Sequence, residues 1–279
     1  MIIIGDAMLE KQIALLLKEE VIWLEKLDKG ISNHNYLAKT SDATYIVRVP
    51  KVKHLKDYSL EQEINSLIVP LGINSENVAF DLKTGIKISK YIDNLKTFTE
   101  YHKNDKIKKT VRLMHTLHQA NLVCSSDFNP LDKLEEYLSK INTPLFNLKP
   151  YLKIKDEIKR LSHPKILCHN DWVAGNICFT NKKSYLIDYE YAANNDPYFD
   201  VMSFLTENDL TNDQISEFLK LYFNHNLSIS VLNTLKLWEK FHNLLWCSWA
   251  NMMYDLTLEN QFKAIALDKY TALKTTILP

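Results

Sequence analysis

Apolar residues Leu9, Ile13, Leu16, Leu17, Val21 and Leu24 recur at helical spacing, which predicts an amphipathic helix over 6–24 with Asp6 as its N-cap. The pattern then changes. Leu27 to Asn33 reads as a turn, and residues 35–40 and 44–49 are short β-prone runs around Thr40-Ser41-Asp42-Ala43, an antiparallel hairpin closed off by Pro50. A helix is expected over 58–69, then strands near 77–82 and 85–91 with Gly85 at the turn. Beyond Tyr91-Ile92-Asp93-Asn94 helices dominate, at 104–122, 131–141, 151–161, 197–224, 232–256 and 259–274, interrupted by a compact β region over 166–188. The order predicts an α+β, two-lobed chain: a small β-rich lobe over 1–93 and a larger helical lobe over 94–279, with a ligand expected in the cleft between them.

Composition narrows the function classes. The chain has 279 residues, 46% hydrophobic and 24% charged, enough apolar surface to exclude disorder. Thirty-four basic residues balance 34 acidic ones, which disfavours nucleic acid as the main partner. Five glycines disfavour folds built on glycine-rich dinucleotide loops. The four cysteines form no CxxC pair, no secretory signal precedes them, and no apolar run is long enough to span a bilayer. A cytoplasmic protein without membrane insertion is the expectation.

The chemistry concentrates in Cys168-His169-Asn170-Asp171-Trp172-Val173-Ala174-Gly175-Asn176 and the following Ile177 to Glu190. Ile177–Thr180 and Tyr185–Ile187 are β-prone and Asn181–Lys183 is a polar turn. A hairpin folded about Lys182 sets Asn176 opposite Asp188. An amide oxygen and a carboxylate there are hard ligands suited to Mg²⁺, and Asp171 enters the same end from upstream. Phosphoryl transfer needs such a set: one carboxylate to orient the attacking hydroxyl and take its proton, others to hold the metal. His169-x-Asp171-x4-Asn176 followed by Asp188 matches the kinase catalytic pattern.

This segment, with Ile187-Asp188-Tyr189-Glu190-Tyr191 and Asn195-Asp196-Pro197-Tyr198-Phe199-Asp200, resembles the choline/ethanolamine kinase branch of the aminoglycoside-phosphotransferase-like kinases, and within it the bacterial Lic-type choline kinases. The resemblance implies a bilobal protein-kinase-like fold, ATP and Mg²⁺, with Asp171 as catalytic base and Asn176 and Asp188 as metal ligands. It also implies that Arg48, alone among apolar strand residues, contacts phosphate where protein kinases use a strand lysine. Glu63 is preferred to Glu61 as the carboxylate that orients it. Gly30, Ser32 and Asn33 fall where the family has its nucleotide loop, and residues 88–93 where the lobe connector contacts adenine.

An acceptor such as choline carries a cation with no N–H, held by aromatic faces and a nearby carboxylate. Trp246 and Trp249 are neighbours on one face of a predicted helix, with Trp238 on a similar face. The resemblance assigns Glu207 as the acceptor carboxylate and Tyr191 as a further cage aromatic, while Asn212 stands where another cage tyrosine is expected. The implied activity is phosphorylation of choline to phosphocholine. The alternatives are a kinase for ethanolamine, thiamine or an aminoglycoside, and a non-catalytic nucleotide-binding protein of kinase fold. Other features read as structural. His115 and His118 are a helix HxxH without a third ligand at metal spacing, and Asp200 braces the catalytic loop. Thr84–Ser89 lacks the spacing of a P-loop.

Overall fold

Tyr45 and Val47 alternate with Ile46 and Arg48, so one face of their strand is apolar and the other carries a cation. The computed structural model, which describes residues 4–27, 33–51, 57–161 and 163–279, builds its first sheet around that alternation. Helix α1 (Ile4–Leu17) is followed by strands β1 (Trp23–Leu27), β2 (Asn33–Lys39) and β3 (Thr44–Pro50), helix α2 (Ser59–Ile68), and strands β4 (Asn77–Phe80) and β5 (Lys87–Lys90). The five strands form an antiparallel sheet in the order β1-β2-β3-β5-β4. Its apolar face, with Tyr36, Ala38, Tyr45, Val47 and Ile88, buries Ile13 and Leu17 of α1.

The first helix is shorter than its apolar spacing suggests. Lys18 takes a left-handed φ of 60°, and the apolar positions that follow lead into β1, just before which Ile22 N donates to Lys39 O. Val21, Ile22 and Trp23 are β-branched or aromatic and favour a pleated edge over another helical turn. Asp6, expected to precede the helix, lies within α1, whose range begins at Ile4.

After residues 91–95 come β6 (Lys96–Thr97), α3 (Lys106–His118), α4 (Pro130–Ser139) and α5 (Ile154–Lys159). Strands β7 (Ile166–Cys168), β8 (Ile177–Phe179), β9 (Ser184–Leu186) and β10 (Ala193–Asn195) form two small sheets, β6-β8-β9 and β10-β7. The chain ends in α6 (Pro197–Glu207), α7 (Asn212–Tyr222), α8 (Ile229–Thr257) and α9 (Asn260–Ala272). The helix expected over 197–224 is two helices. The Asn208 amide donates to Trp172 O and Phe204 O, which ends α6, and Thr211 opens α7 through a reciprocal capping box with Gln214.

The larger hydrophobic cluster lies among α3 to α9, and Ile64 and Ile68 of α2 belong to it although they precede the interlobe segment. The α+β, two-lobed architecture is the one the hydrophobic pattern predicts. Among the described residues no helix is long and apolar enough to cross a membrane.

Candidate active site

The loop after β7 is shaped by its backbone. Asn170 has a φ of 64°, a left-handed value that asparagine tolerates better than most side chains, and its neighbours fix it there. The buried Asp200 of α6 accepts from His169 N at 2.9 Å, Asn170 N at 2.7 Å and His118 Nε2 at 3.0 Å. The Asn170 amide donates to Tyr191 O and accepts from Asn195 Nδ2. His169 is fully buried, pairs through Nε2 with Ile187 O and packs edge-on to Trp172 and Tyr189. These groups brace the loop and leave Asp171 at its turn.

Asn176 Nδ2 donates to Asp171 Oδ2 at 2.8 Å and to Asp171 O at 3.0 Å. The hairpin register differs by one from the expected pairing. Thr180 N donates to Lys183 O, so the turn holds two residues, Asn181 and Lys182, and Asn176 stands opposite Ile187. In a flat ribbon that slip would send residue 188 away. Instead Asp188 takes a left-handed φ of 63°, and it lines with Asn176 one cavity of about 480 Å³. Burial, then the charges of Asp188 and Glu207, push the Asp171 carboxyl up to about 8, against the Asn176 hydrogen bond. With Asn176 Nδ2 committed to Asp171, its Oδ1 remains, and with Asp188 it makes an oxygen-only donor set that fits Mg²⁺. The one group of three His, Cys, Asp or Glu ligand atoms found close together among the described residues is His118, Cys168 and Asp200. Its atoms are engaged in bracing the loop.

Arg48 projects from β3 on the sheet's polar face. Its NH1 lies 2.9 Å from Asp188 Oδ1 and its NH2 2.7 Å from Glu61 Oε2. The orienting carboxylate is therefore Glu61 and not Glu63. The two are about 200° apart around α2: Glu61 shares the buried face with Ile64, Asn65 and Ile68, whereas Glu63 points elsewhere and binds Ser125 N and Oγ. Lys87, unsuspected from the sequence, is paired in register with Arg48 across β3 and β5, so both cations share a face. Its buried Nζ is 3.1 Å from both Glu61 Oε1 and Asn65 Oδ1. Burial lowers the Lys87 pKa, only partly offset by Glu61. Burial also opposes ionisation of Glu61, but Lys87 and Arg48 outweigh it and hold the carboxyl below its usual range. Gly30 and Ser32 lie outside the described residues. Asn33 is buried at the start of β2; among the described residues of this hairpin, Leu27 and Asn35 line the cavity.

Glu207, whose charge reaches Asp171, ends α6. Burial would raise its pKa, yet the His242 hydrogen bond and the Lys269 charge bring it down to about 2. Lys269 Nζ sits 2.6 Å from Glu207 Oε1. Trp246 and Trp249 of α8 are half-buried, with ring centroids 5.9 Å apart and planes at 84°. Tyr191 is half-buried, and burial together with Glu190, Tyr137 and Asp171 raises its pKa. Trp238 lies in the core instead: it is buried edge-on against Phe199 and Phe241, and its indole N–H donates to Asp196 Oδ2. Asn212 is exposed at the start of α7. Thr206, His242 and Lys269 carried no motif; a polar residue at a core-facing helix position was the one available signal.

A model of the phosphotransferase enzyme family (APH) matches residues 95–238, just over half of the chain. Protein LicA of Haemophilus influenzae strain Rd is 24% identical over 244 residues, 80% of this chain and 90% of its own length. Among solved structures, the choline kinase LicA of Streptococcus pneumoniae superposes with a TM-score of 0.82 at 24% identity, over 98% of this chain and 99% of its own. A LicA structure in complex with AMP gives 0.79 at 24% identity, over 96% and 97%. These likenesses show the protein-kinase-like fold. The family match spans Asp171, Asn176, Asp188 and Glu207, and on that match the chain belongs to the phosphotransferase enzyme family.

Proposed function

We propose that this phosphotransferase moves the γ-phosphoryl group of ATP to the hydroxyl of choline, giving phosphocholine and ADP. The observation that carries the reading is the place of Asp171. It is bonded to Asn176 and lies within electrostatic reach of Asp188, which Arg48 contacts, and of Glu207 and Tyr191. A base so placed accepts the hydroxyl proton as the new O–P bond forms and the bond to the ADP oxygen breaks. Arg48, held by Glu61, which Lys87 anchors in turn, faces the cavity where phosphates would lie, and its charge offsets theirs. Asn176 Oδ1 and Asp188 would hold Mg²⁺, which supplies further neutralisation of phosphate charge when bound.

The acceptor assignment rests on Trp246, Trp249 and Glu207, an aromatic pair with a carboxylate, the set that suits a quaternary ammonium. An aminoglycoside, with several charges, calls for more acid than a carboxylate already paired with Lys269 offers. ADP release measured with choline, ethanolamine, thiamine, an aminoglycoside and no acceptor tests the reading. Choline is expected to give the highest kcat/KM; turnover restricted to another alcohol refutes it.

A further inference from the structure

One histidine ties together the two groups proposed to hold the acceptor. An indole N–H can only donate, so the 3.0 Å contact from Trp246 Nε1 makes His242 Nε2 the acceptor. Burial favours the neutral ring, which then carries its proton on Nδ1. That N–H faces Thr206 Oγ1 at 2.9 Å and Glu207 Oε1 at 3.3 Å. The Thr206 hydroxyl donates to Met202 O at 2.8 Å, so its oxygen is free to receive. Lys269 Nζ adds a contact to the same Oε1 at 2.6 Å and one to Thr206 O at 2.9 Å. Among the described residues, the contacts to this carboxylate fall on Oε1, which leaves Oε2 to a ligand.

We propose that His242 is a positioning residue that makes the acceptor site selective for an ammonium without N–H groups. The proposal rests on the reading of Glu207, Trp246 and Trp249 as the acceptor's binding groups. A quaternary ammonium asks for negative charge and aromatic faces, and one fixed oxygen beside a fixed indole meets that need. A primary ammonium brings three donors; with Oε1 taken, one carboxylate oxygen accepts and the other donors are buried against rings, which is costly. Without His242, Oε1 keeps its Lys269 contact alone and the indole loses its acceptor, so carboxylate and ring are no longer fixed relative to one another and the discrimination falls.

The test is steady-state kinetics on the full chain at saturating ATP, with choline or ethanolamine varied, for wild type, His242→Phe, His242→Gln and His242→Asn. His242→Phe is expected to lower the choline-to-ethanolamine ratio of kcat/KM by about tenfold, chiefly through the choline KM, with the ATP KM changed less than about twofold. His242→Gln keeps one donor and one acceptor and is expected to lose less. A His242→Phe protein with a wild-type melting profile and an unchanged ratio overturns the proposal; if that variant does not fold, an unchanged ratio in His242→Asn, whose shorter amide forfeits the Trp246 contact, does so. Wild-type turnover of neither alcohol overturns the choline reading itself, and the proposal with it.

Discussion

Asp171 and Glu207 are both half-buried carboxylates, and their environments drive them in opposite directions. Asp171 meets like charges and rises to about 8; Glu207 meets Lys269 and the His242 N–H and falls to about 2. The Glu207 shift fixes a pH dependence. Its folded pKa lies below the unfolded value of about 4.5, so its contribution, roughly 3 kcal/mol, is complete above that value and is lost as pH falls towards 2. Urea midpoints of wild type and Glu207→Gln should differ by a constant amount between pH 7 and about pH 5, and converge below pH 4.5. Glu61 and Glu63 give a second residue-scale contrast. Glu61→Gln is expected to raise the ATP KM about tenfold or more, and Glu63→Gln to leave it within about twofold, read by ADP release at saturating choline. The choice between those two glutamates was not legible in the sequence, because helical phase is set by which face the sheet covers. Lys87 was hidden for a related reason: a lysine on a short strand reads as solvent-facing until its partner strand is known.

At the scale of elements, the catalytic loop was the most legible part of the chain. Its candidate residues Asp171, Asn176 and Asp188 lie close in sequence and a single hairpin joins the last two, so local pattern almost suffices. The register slipped by one because a two-residue and a three-residue turn are equally compatible with Asn181-Lys182-Lys183; a left-handed Asp188 still lines the same cavity as Asn176. Asp200 supports this loop by taking two backbone N–H groups. Asp200→Ala would bury both without a partner and is expected to cost roughly 2–5 kcal/mol in chemical denaturation. Helix α8 carries two kinds of tryptophan that sequence spacing does not separate. Trp238→Ala empties a core site and should destabilise by roughly 3–5 kcal/mol with little change in choline KM in the folded fraction. Trp246→Ala, at a half-buried position, should raise choline KM at least tenfold with the smaller stability loss, by about the margin an aromatic–cation contact allows.

Across the whole molecule, the two-lobed plan followed from the switch between period-two and period-3.6 patterns, while α2's attachment to the larger core did not, since its apolar positions suit either side. The lobes are joined chemically by Arg48 of the sheet and Asp188 of the loop. A nucleotide binding at that junction would stabilise the folded chain by mass action, about 2.7 kcal/mol at a hundredfold excess over Kd. ATP should therefore raise the melting temperature of the wild type, and the rise should be much smaller in Arg48→Ala.

The central claim is that Asp171 draws a proton from an alcohol whose cationic head lies against Trp246, Trp249 and Glu207. Phosphorus NMR of the chain incubated with ATP, Mg²⁺ and choline tests it most directly. The account predicts that the γ-phosphate signal is replaced one for one by a phosphocholine signal. It also predicts that Asp171→Asn slows this conversion by roughly 10²–10⁴-fold while still binding ATP. Conversion at the wild-type rate in Asp171→Asn, or ATP consumed without a phosphocholine signal, would contradict it.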